Sequence, residues 1–230
     1  LSKITIYGII YSLEVIYMKQ IRYILTDWFE VFSNGIYGKG EMGRLVEKVG
    51  LTREDYMEKD VEVNWTLLQE LNRGNITEKV YWKKVIAETG WNVTPEQMIT
   101  LTDEVVKIPI PGTAEIARDL HGMGYKFILI SDLCPRTKTR ILLSYPWITQ
   151  LYEHTFFSCD YGKLKSDPGY FSFILEQTGI NPEEAFFFDD YDVNVDVAKS
   201  VGINGVVFED AIQLKDAMKA FGLYDQHSRA

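Results

Sequence analysis

After Gly112 the sequence settles into a strict alternation of short, nearly continuous apolar runs with segments whose apolar residues recur at helical spacing. The runs are Lys126-Phe127-Ile128-Leu129-Ile130, His154-Thr155-Phe156-Phe157, Ala185-Phe186-Phe187-Phe188 and Gly205-Val206-Val207-Phe208. Helices are expected near 113–122, 136–144, 168–178, 193–201 and 211–221. A strand that is apolar along its whole length must be covered on both faces, and strands joined through helices run parallel. The expected fold is α/β, a Rossmann-like parallel sheet sandwiched by helices.

A fifth run, Ile21-Arg22-Tyr23-Ile24-Leu25-Thr26, comes much earlier and stops at Asp27. Between it and the linker Ile108-Pro109-Ile110-Pro111-Gly112 no comparable strand occurs. Helical stretches fall instead around 40–49, 53–71, 77–89 and 95–107. Thr77-Glu78 and Thr94-Pro95-Glu96 are good helix starts, and Gly50, Gly74 and Gly90 suit helix ends. The expected organisation is an α/β core made of 18–35 and 108–230, with a small all-helical cap, 36–107, inserted after the first strand. Residues 1–17, LSKITIYGIIYSLEVIY, are interrupted by Lys3 and Glu14 and fall short of the ~20 apolar residues of a membrane span. They are read as an N-terminal extension ahead of a start at Met18, with an added edge strand or helix as the alternative.

Charge excludes one class of partner. Lys and Arg number 24 against 33 Asp and Glu, a net charge of −9, and no basic stripe offsets it. Such a surface repels phosphate backbones, so no nucleic-acid partner is expected; with the N-terminal apolar run too short and interrupted to span a bilayer, no membrane partner is expected either. Cys134 and Cys159 have no metal or redox spacing, and His121, His154 and His227 are dispersed. Two reduced thiols point to the cytoplasm, and a zinc site is not expected.

In parallel sheets ligands bind beyond the carboxyl ends of the strands. Those ends carry Asp27, then Ser131-Asp132, then Ser158 followed by Gly162-Lys163-Leu164-Lys165, then Asp189-Asp190. Singly, an Asp after a strand serves as a turn former or helix cap. Two adjacent acids after a triple-Phe strand differ, because their mutual repulsion calls for a cation. Lys165 and a divalent metal are the natural counter-charges, and an all-oxygen donor set selects Mg²⁺.

This constellation resembles the haloacid dehalogenase-like hydrolase superfamily over nearly all of 20–210. The match lies in Ile24-Leu25-Thr26-Asp27, in Leu129-Ile130-Ser131-Asp132, in Gly162-Lys163-Leu164-Lys165-Ser166-Asp167-Pro168, and in Phe188-Asp189-Asp190-Tyr191-Asp192-Val193-Asn194. The layout is most similar to the subgroup with a small helical cap, which includes sugar-phosphate phosphatases and the phosphatase domain of some epoxide hydrolases. Leu71-Asn72-Arg73-Gly74-Asn75-Ile76-Thr77 resembles the cap linker of that subgroup. The resemblance implies that Asp27 attacks phosphorus to form an aspartyl-phosphate, that Ser131 hydrogen-bonds a phosphoryl oxygen, and that Lys165 neutralises both. It also implies Mg²⁺ held by Asp27, the Phe29 carbonyl and Asp190. Asp189 would orient Lys165 or a metal-bound water, and Asn194 would support the loop. Asp132, beside the phosphate, joins Ser131 and Lys165 in the substrate-binding set.

Two departures stand out. The family's phosphatases carry an acid two residues after the nucleophile, and this chain has Phe29; Glu30 is the nearest replacement. Asp132 stands where Asn is common. The function expected is a Mg²⁺-dependent phosphomonoesterase acting on a small phosphorylated metabolite. A carbon–halogen hydrolase, or a weakly active member with a binding role, is the alternative. Trp65, Tyr81 and Trp82 are the cap aromatics available either to core packing or to substrate.

Overall fold

The computed structural model describes residues 20–36, 40–57 and 65–224. The expectations for 1–17, and for the part of the 53–71 helix at 58–64, fall outside the described residues. Five strands form one parallel sheet: β1 (Tyr23–Thr26), β2 (Lys126–Ser131), β3 (Tyr152–Phe157), β4 (Ala185–Asp189) and β5 (Asn204–Val207). Their order is β3-β2-β1-β4-β5. In register, Leu25 of β1 sits between Ile128 of β2 and Phe187 of β4.

Side-chain alternation divides these strands between two cores. Ile24, Phe127, Leu129, Phe186 and Phe188 enter one apolar cluster, while Leu25, Ile128, Ile130 and Phe187 enter the other. A period of two in uniformly apolar strands produces this result, since neither face can be left to water. The chain builds β2 and β3 on one side of β1 and then crosses to build β4 and β5 on the other. The switch in direction lies between β1 and β4, so the ends of these two strands open onto the crevice such sheets use for ligands.

The helices after Gly112 fall where expected, at Thr113–Gly122, Pro135–Ser144, Tyr170–Thr178, Asp192–Ser200 and Ala211–Ala220. Gly112 itself has φ +90°, and a Cβ there would lie 2.6 Å from that of Ala211, so the linker turn admits no larger residue without movement. Between β1 and β2 the main helices are Trp65–Asn72, Glu78–Thr89 and Pro95–Val105. Thr94 and Gln97 form a reciprocal capping box, and the Thr77 side chain accepts the Val80 N–H. The expected 40–49 helix is two short pieces, an α-turn Met42–Leu45 and a 3₁₀ turn Val46–Val49 that ends on Gly50 in the left-handed region. Two further four-residue helices, Ile148–Leu151 and Ser158–Tyr161, are too short to show a period in sequence.

Tyr81 and Trp82 are buried in the larger apolar cluster, which runs from this helical segment into the sheet. They are packing residues. Trp65 is 47% exposed and lies against Tyr191, its ring centroid 5.7 Å away. The helical segment is tied to the sheet layer by polar contacts as well. Arg73 donates to both carboxylate oxygens of Asp167 at 2.5 and 2.6 Å. Ser158 Oγ donates to the Asn72 carbonyl at 2.6 Å, and buried Glu78 accepts from Arg140 at 3.1 Å. Among the described residues no helix is long and apolar enough to cross a membrane.

Candidate active site

Asp27 follows the last residue of β1, where its backbone N–H still donates to the Phe188 carbonyl at 3.1 Å. Asp189 ends β4, next to β1 in the sheet, and Asp190 follows it. Adjacent parallel strands are under 5 Å apart, so the register alone brings the three carboxyls together. Oxygen atoms of Asp27, Asp189 and Asp190 lie within 4.8 Å of one another. Lys165, 2% exposed, enters from the loop after the Ser158–Tyr161 helix. Its Nζ is 2.6 Å from Asp27 Oδ1 and 2.5 Å from Asp189 Oδ2.

The three carboxyls are not equivalent. Asp189 is fully buried and already committed: it accepts from Lys165 Nζ, from the Tyr191 N–H at 2.9 Å and from Asn194 Nδ2 at 3.1 Å. Asn194 therefore supports the carboxylate itself. Burial pushes the Asp27 pKa up to about 6 against the opposing pull of Lys165. Desolvation, followed by repulsion from Asp27 and Asp189, pushes Asp190, the solvent-facing member, up to about 8. The same two buried carboxylates raise the Lys165 ammonium against its own desolvation cost. One ammonium thus faces three carboxyls, and the deficit falls on Asp27 and Asp190. Hard oxygen donors short of positive charge suit a Mg²⁺ ion bound through one or two carboxylates.

These raised values have a measurable consequence. An acid whose folded pKa exceeds its unfolded value contributes stability that is fully present below the unfolded pKa and is lost as pH rises through the folded one. Asp27 and Asp190 place that window between about pH 4 and pH 8. With the exposed Asp190 discounted for solvent screening, the metal-free protein should accordingly lose roughly 2 °C or more in Tm between pH 5.5 and 8, and saturating Mg²⁺ should abolish most of that slope. Thermal melts across this range with EDTA or MgCl₂ provide the check; a flat metal-free profile would contradict the charge deficit.

Ser131 ends β2, 1% exposed, and its buried Oγ has no hydrogen-bond partner among the described residues. Such a hydroxyl is costly unless something else satisfies it. Asp132 follows, both of its oxygens accepting the Lys165 backbone N–H at 3.1 Å. It lines a small cleft, open to solvent, together with Phe29, Leu71, Asn72, Glu78 and Thr137. Phe29, 8% exposed, thus lines the wall between the helical segment and the sheet. Glu30 has φ +55° and accepts the Gly35 N–H at 2.9 Å. A left-handed non-glycine residue costs roughly 1–2 kcal/mol, and here it turns the chain immediately after the Asp27 loop.

The structure therefore gathers Asp27, Ser131, Asp132, Lys165, Asp189, Asp190 and Asn194 at the carboxyl end of the sheet, with Phe29 on the adjoining wall. Sequence spacing missed Arg73 and Asp167. Asp167 also accepts the Leu164 N–H at 2.9 Å, so the Arg73 pair holds the loop that carries Lys165. The clue lay in the polar Ser166-Asp167 step just after that lysine, although its partner is 94 residues away.

The family model for haloacid dehalogenase-like hydrolase matches residues 10–202. Over 69 residues the chain is 35% identical to flavin mononucleotide hydrolase 1 of the Arabidopsis thaliana chloroplast, a match spanning 30% of this chain and 28% of that relative's length. Among solved structures, the Bacteroides thetaiotaomicron enzyme bt-2542, in complex with magnesium and inorganic phosphate, superposes with TM-score 0.64 at 22% identity, covering 83% of this chain and 95% of that one. Magnesium-bound YfnB of Bacillus subtilis gives TM-score 0.67 at 14% identity over 87% and 100% of the two chains. A dehalogenase gives 0.65 at 19% identity over 82% and 85%.

Proposed function

Since the chain belongs to the haloacid dehalogenase-like hydrolase family, we propose that it is a Mg²⁺-dependent phosphomonoesterase of small phosphorylated metabolites, with 36–107 as the cap over the α/β core. The observation that carries this reading is that, among the described residues, one buried ammonium stands against three carboxyls beside a serine hydroxyl with no partner. In the proposed reaction the Asp27 carboxylate attacks phosphorus and the ester oxygen leaves, giving an aspartyl-phosphate that water then cleaves. Ser131 donates its free O–H to a phosphoryl oxygen. Lys165 balances negative charge on the transferring group and keeps Asp27 ionised beside Asp189. Mg²⁺ would be held by Asp27, the Phe29 carbonyl and Asp190, with Asp189 already occupied by Lys165, and when bound it supplies positive charge to the transferring phosphoryl group.

A carbon–halogen hydrolase could use Asp27 and Lys165 with no cation at Asp190. The raised pKa of Asp190 favours the metal-dependent reading. The named hydrolase of flavin mononucleotide among the relatives makes that ester a suitable member of a test panel. Inorganic phosphate and halide release should be followed over phosphate monoesters and 2-haloacids, with and without EDTA. Chelator-sensitive phosphate release is expected; halide release that survives EDTA would replace this function with the alternative. The free thiols Cys134 and Cys159 support a cytoplasmic setting.

A further inference from the structure

With Phe29 where the family's phosphatases place an acid, an alkoxide would have to leave unprotonated. Among the described residues, the carboxyls weighed as replacements are Glu78 and Asp132, which line the cleft, and Glu30, which follows Phe29. Glu78 lines it, but its oxygens are taken up by Arg140 at 3.1 and 3.3 Å and by Arg136 at 3.3 Å. Glu30 is engaged within its own turn through the Gly35 N–H, and Phe29, not Glu30, faces the cleft. Asp132 remains. It directly follows Ser131, whose hydroxyl, unpartnered among the described residues, is the one assigned above to a phosphoryl oxygen, and it is on the cleft wall with Phe29. Its contact with the Lys165 backbone N–H uses acceptor lone pairs and leaves a carboxyl proton free to be carried.

We propose that Asp132 is the acid/base of this enzyme, an inference that rests on the phosphomonoesterase reading. As the bond from Asp27 to phosphorus forms and the ester P–O bond breaks, the Asp132 carboxyl gives its proton to the leaving oxygen and becomes a carboxylate. That carboxylate then takes a proton from the water whose oxygen bonds to phosphorus as the Asp27–phosphorus bond breaks. Phosphate leaves, and Asp132 is returned to its acid form.

Its surroundings suit both halves. Burial raises its pKa to about 7 against the pull of Lys165, with Asp27 from β1 and Asp189 from β4 adding to the rise. Tyr170, on the helix behind the Lys165 loop, and Arg73, from the helical segment, also feel its charge, and Glu78 shares the cleft. An acid with this value is part protonated and part ionised at neutral pH, the condition in which one group serves as acid and then as base.

The test uses the full chain with saturating Mg²⁺ and kcat/KM, which reports the steps through leaving-group departure. p-Nitrophenyl phosphate needs little protonation of its leaving group; β-glycerol phosphate needs it fully. Asp132→Asn keeps the acceptor for the Lys165 N–H and should lower kcat/KM by about 10²-fold or more on β-glycerol phosphate, and by less than about tenfold on the aryl ester. The wild-type value on β-glycerol phosphate should fall as pH rises through about 7, and the variant should lose that limb. Asp132→Ser, which keeps a hydroxyl acceptor, should behave alike. An equal loss on both esters would make Asp132 a structural residue of the Lys165 loop and overturn the proposal, as would no loss at all. A selective loss in Glu30→Gln with none in Asp132→Asn would give the proton to Glu30. Wild-type protein that releases no phosphate from any ester would overturn the phosphatase reading and this inference with it; activity on both esters with Asp132→Asn blind to the leaving group overturns the inference alone.

Discussion

Asp27→Asn protein is expected to fold and to lose turnover by at least about 10⁴-fold, because the amide keeps the shape of the carboxyl while losing the attacking charge. The stability side of this prediction has a definite sign. Asp27 is ionised in the folded protein at a cost, its pKa standing at about 6 because burial outweighs the help from Lys165. Replacing it with a neutral isostere removes that cost and leaves Lys165 paired with Asp189 at 2.5 Å. The variant's Tm at pH 7.5 in EDTA should be equal to or higher than wild type, and its response to Mg²⁺ should shrink with one ligand gone. Single-turnover assays with the best ester from the panel, beside thermal melts, decide the matter. Residual activity within about tenfold of wild type would end the covalent mechanism, and a Tm many degrees lower would mean that Asp27 is structural.

Lys165→Ala should be nearly as damaging, for a different reason. The lysine is 2% exposed and holds two carboxylates at 2.5 and 2.6 Å. Removing one member of a buried charge set typically costs about 3–5 kcal/mol because the others are left uncompensated. Part of that loss should return at low pH: without the ammonium, Asp27 takes up a proton more readily, so acid stabilises the variant more than the wild type. Activity should fall by roughly 10³-fold or more even where the variant is folded, since the positive charge beside the transferring group is gone. Urea titrations at pH 5.5 and 7.5 with parallel rate measurements provide the check. A folded variant with near-normal rate would transfer the role to Lys163. Asp167 and Arg73 bear on the same residue: their ion pair fixes the loop behind it, and it lies between the helical segment and the core, so this loop and the proposed cap are mechanically joined.

The fold was legible because its signal is local and repeated. Strands such as Phe127-Ile128-Leu129-Ile130 and Phe186-Phe187-Phe188 are apolar on both faces, which admits only a covered sheet, and helices fill the intervals. Elements without a period were not legible. The Ile148–Leu151 and Ser158–Tyr161 turns, and the break of 40–49 into an α-turn and a 3₁₀ turn at Gly50, depend on a few hydrogen bonds that leave no pattern in so short a stretch.

The sequence by itself determined which residues stand at strand ends: Asp27, Ser131-Asp132 and Asp189-Asp190 each terminate an apolar run, and a parallel sheet puts all such ends on one side. What each carboxyl does there was decided only by tertiary structure. Asp189 is saturated by Lys165, Tyr191 and Asn194, which leaves Asp27 and Asp190 short of charge. Trp82 and Tyr81 are absorbed into the core, while Phe29 and Asp132 share a cleft wall. Spacing along the chain encodes the direction in which a strand ends. Protonation, pairing and exposure depend on neighbours brought from elsewhere: Lys165 reaches Asp27 from 138 positions along the chain, and Arg73 reaches Asp167 across 94. Electrostatic energies in a buried site change with every ångström between such partners, and those distances exist only once the chain has closed on itself.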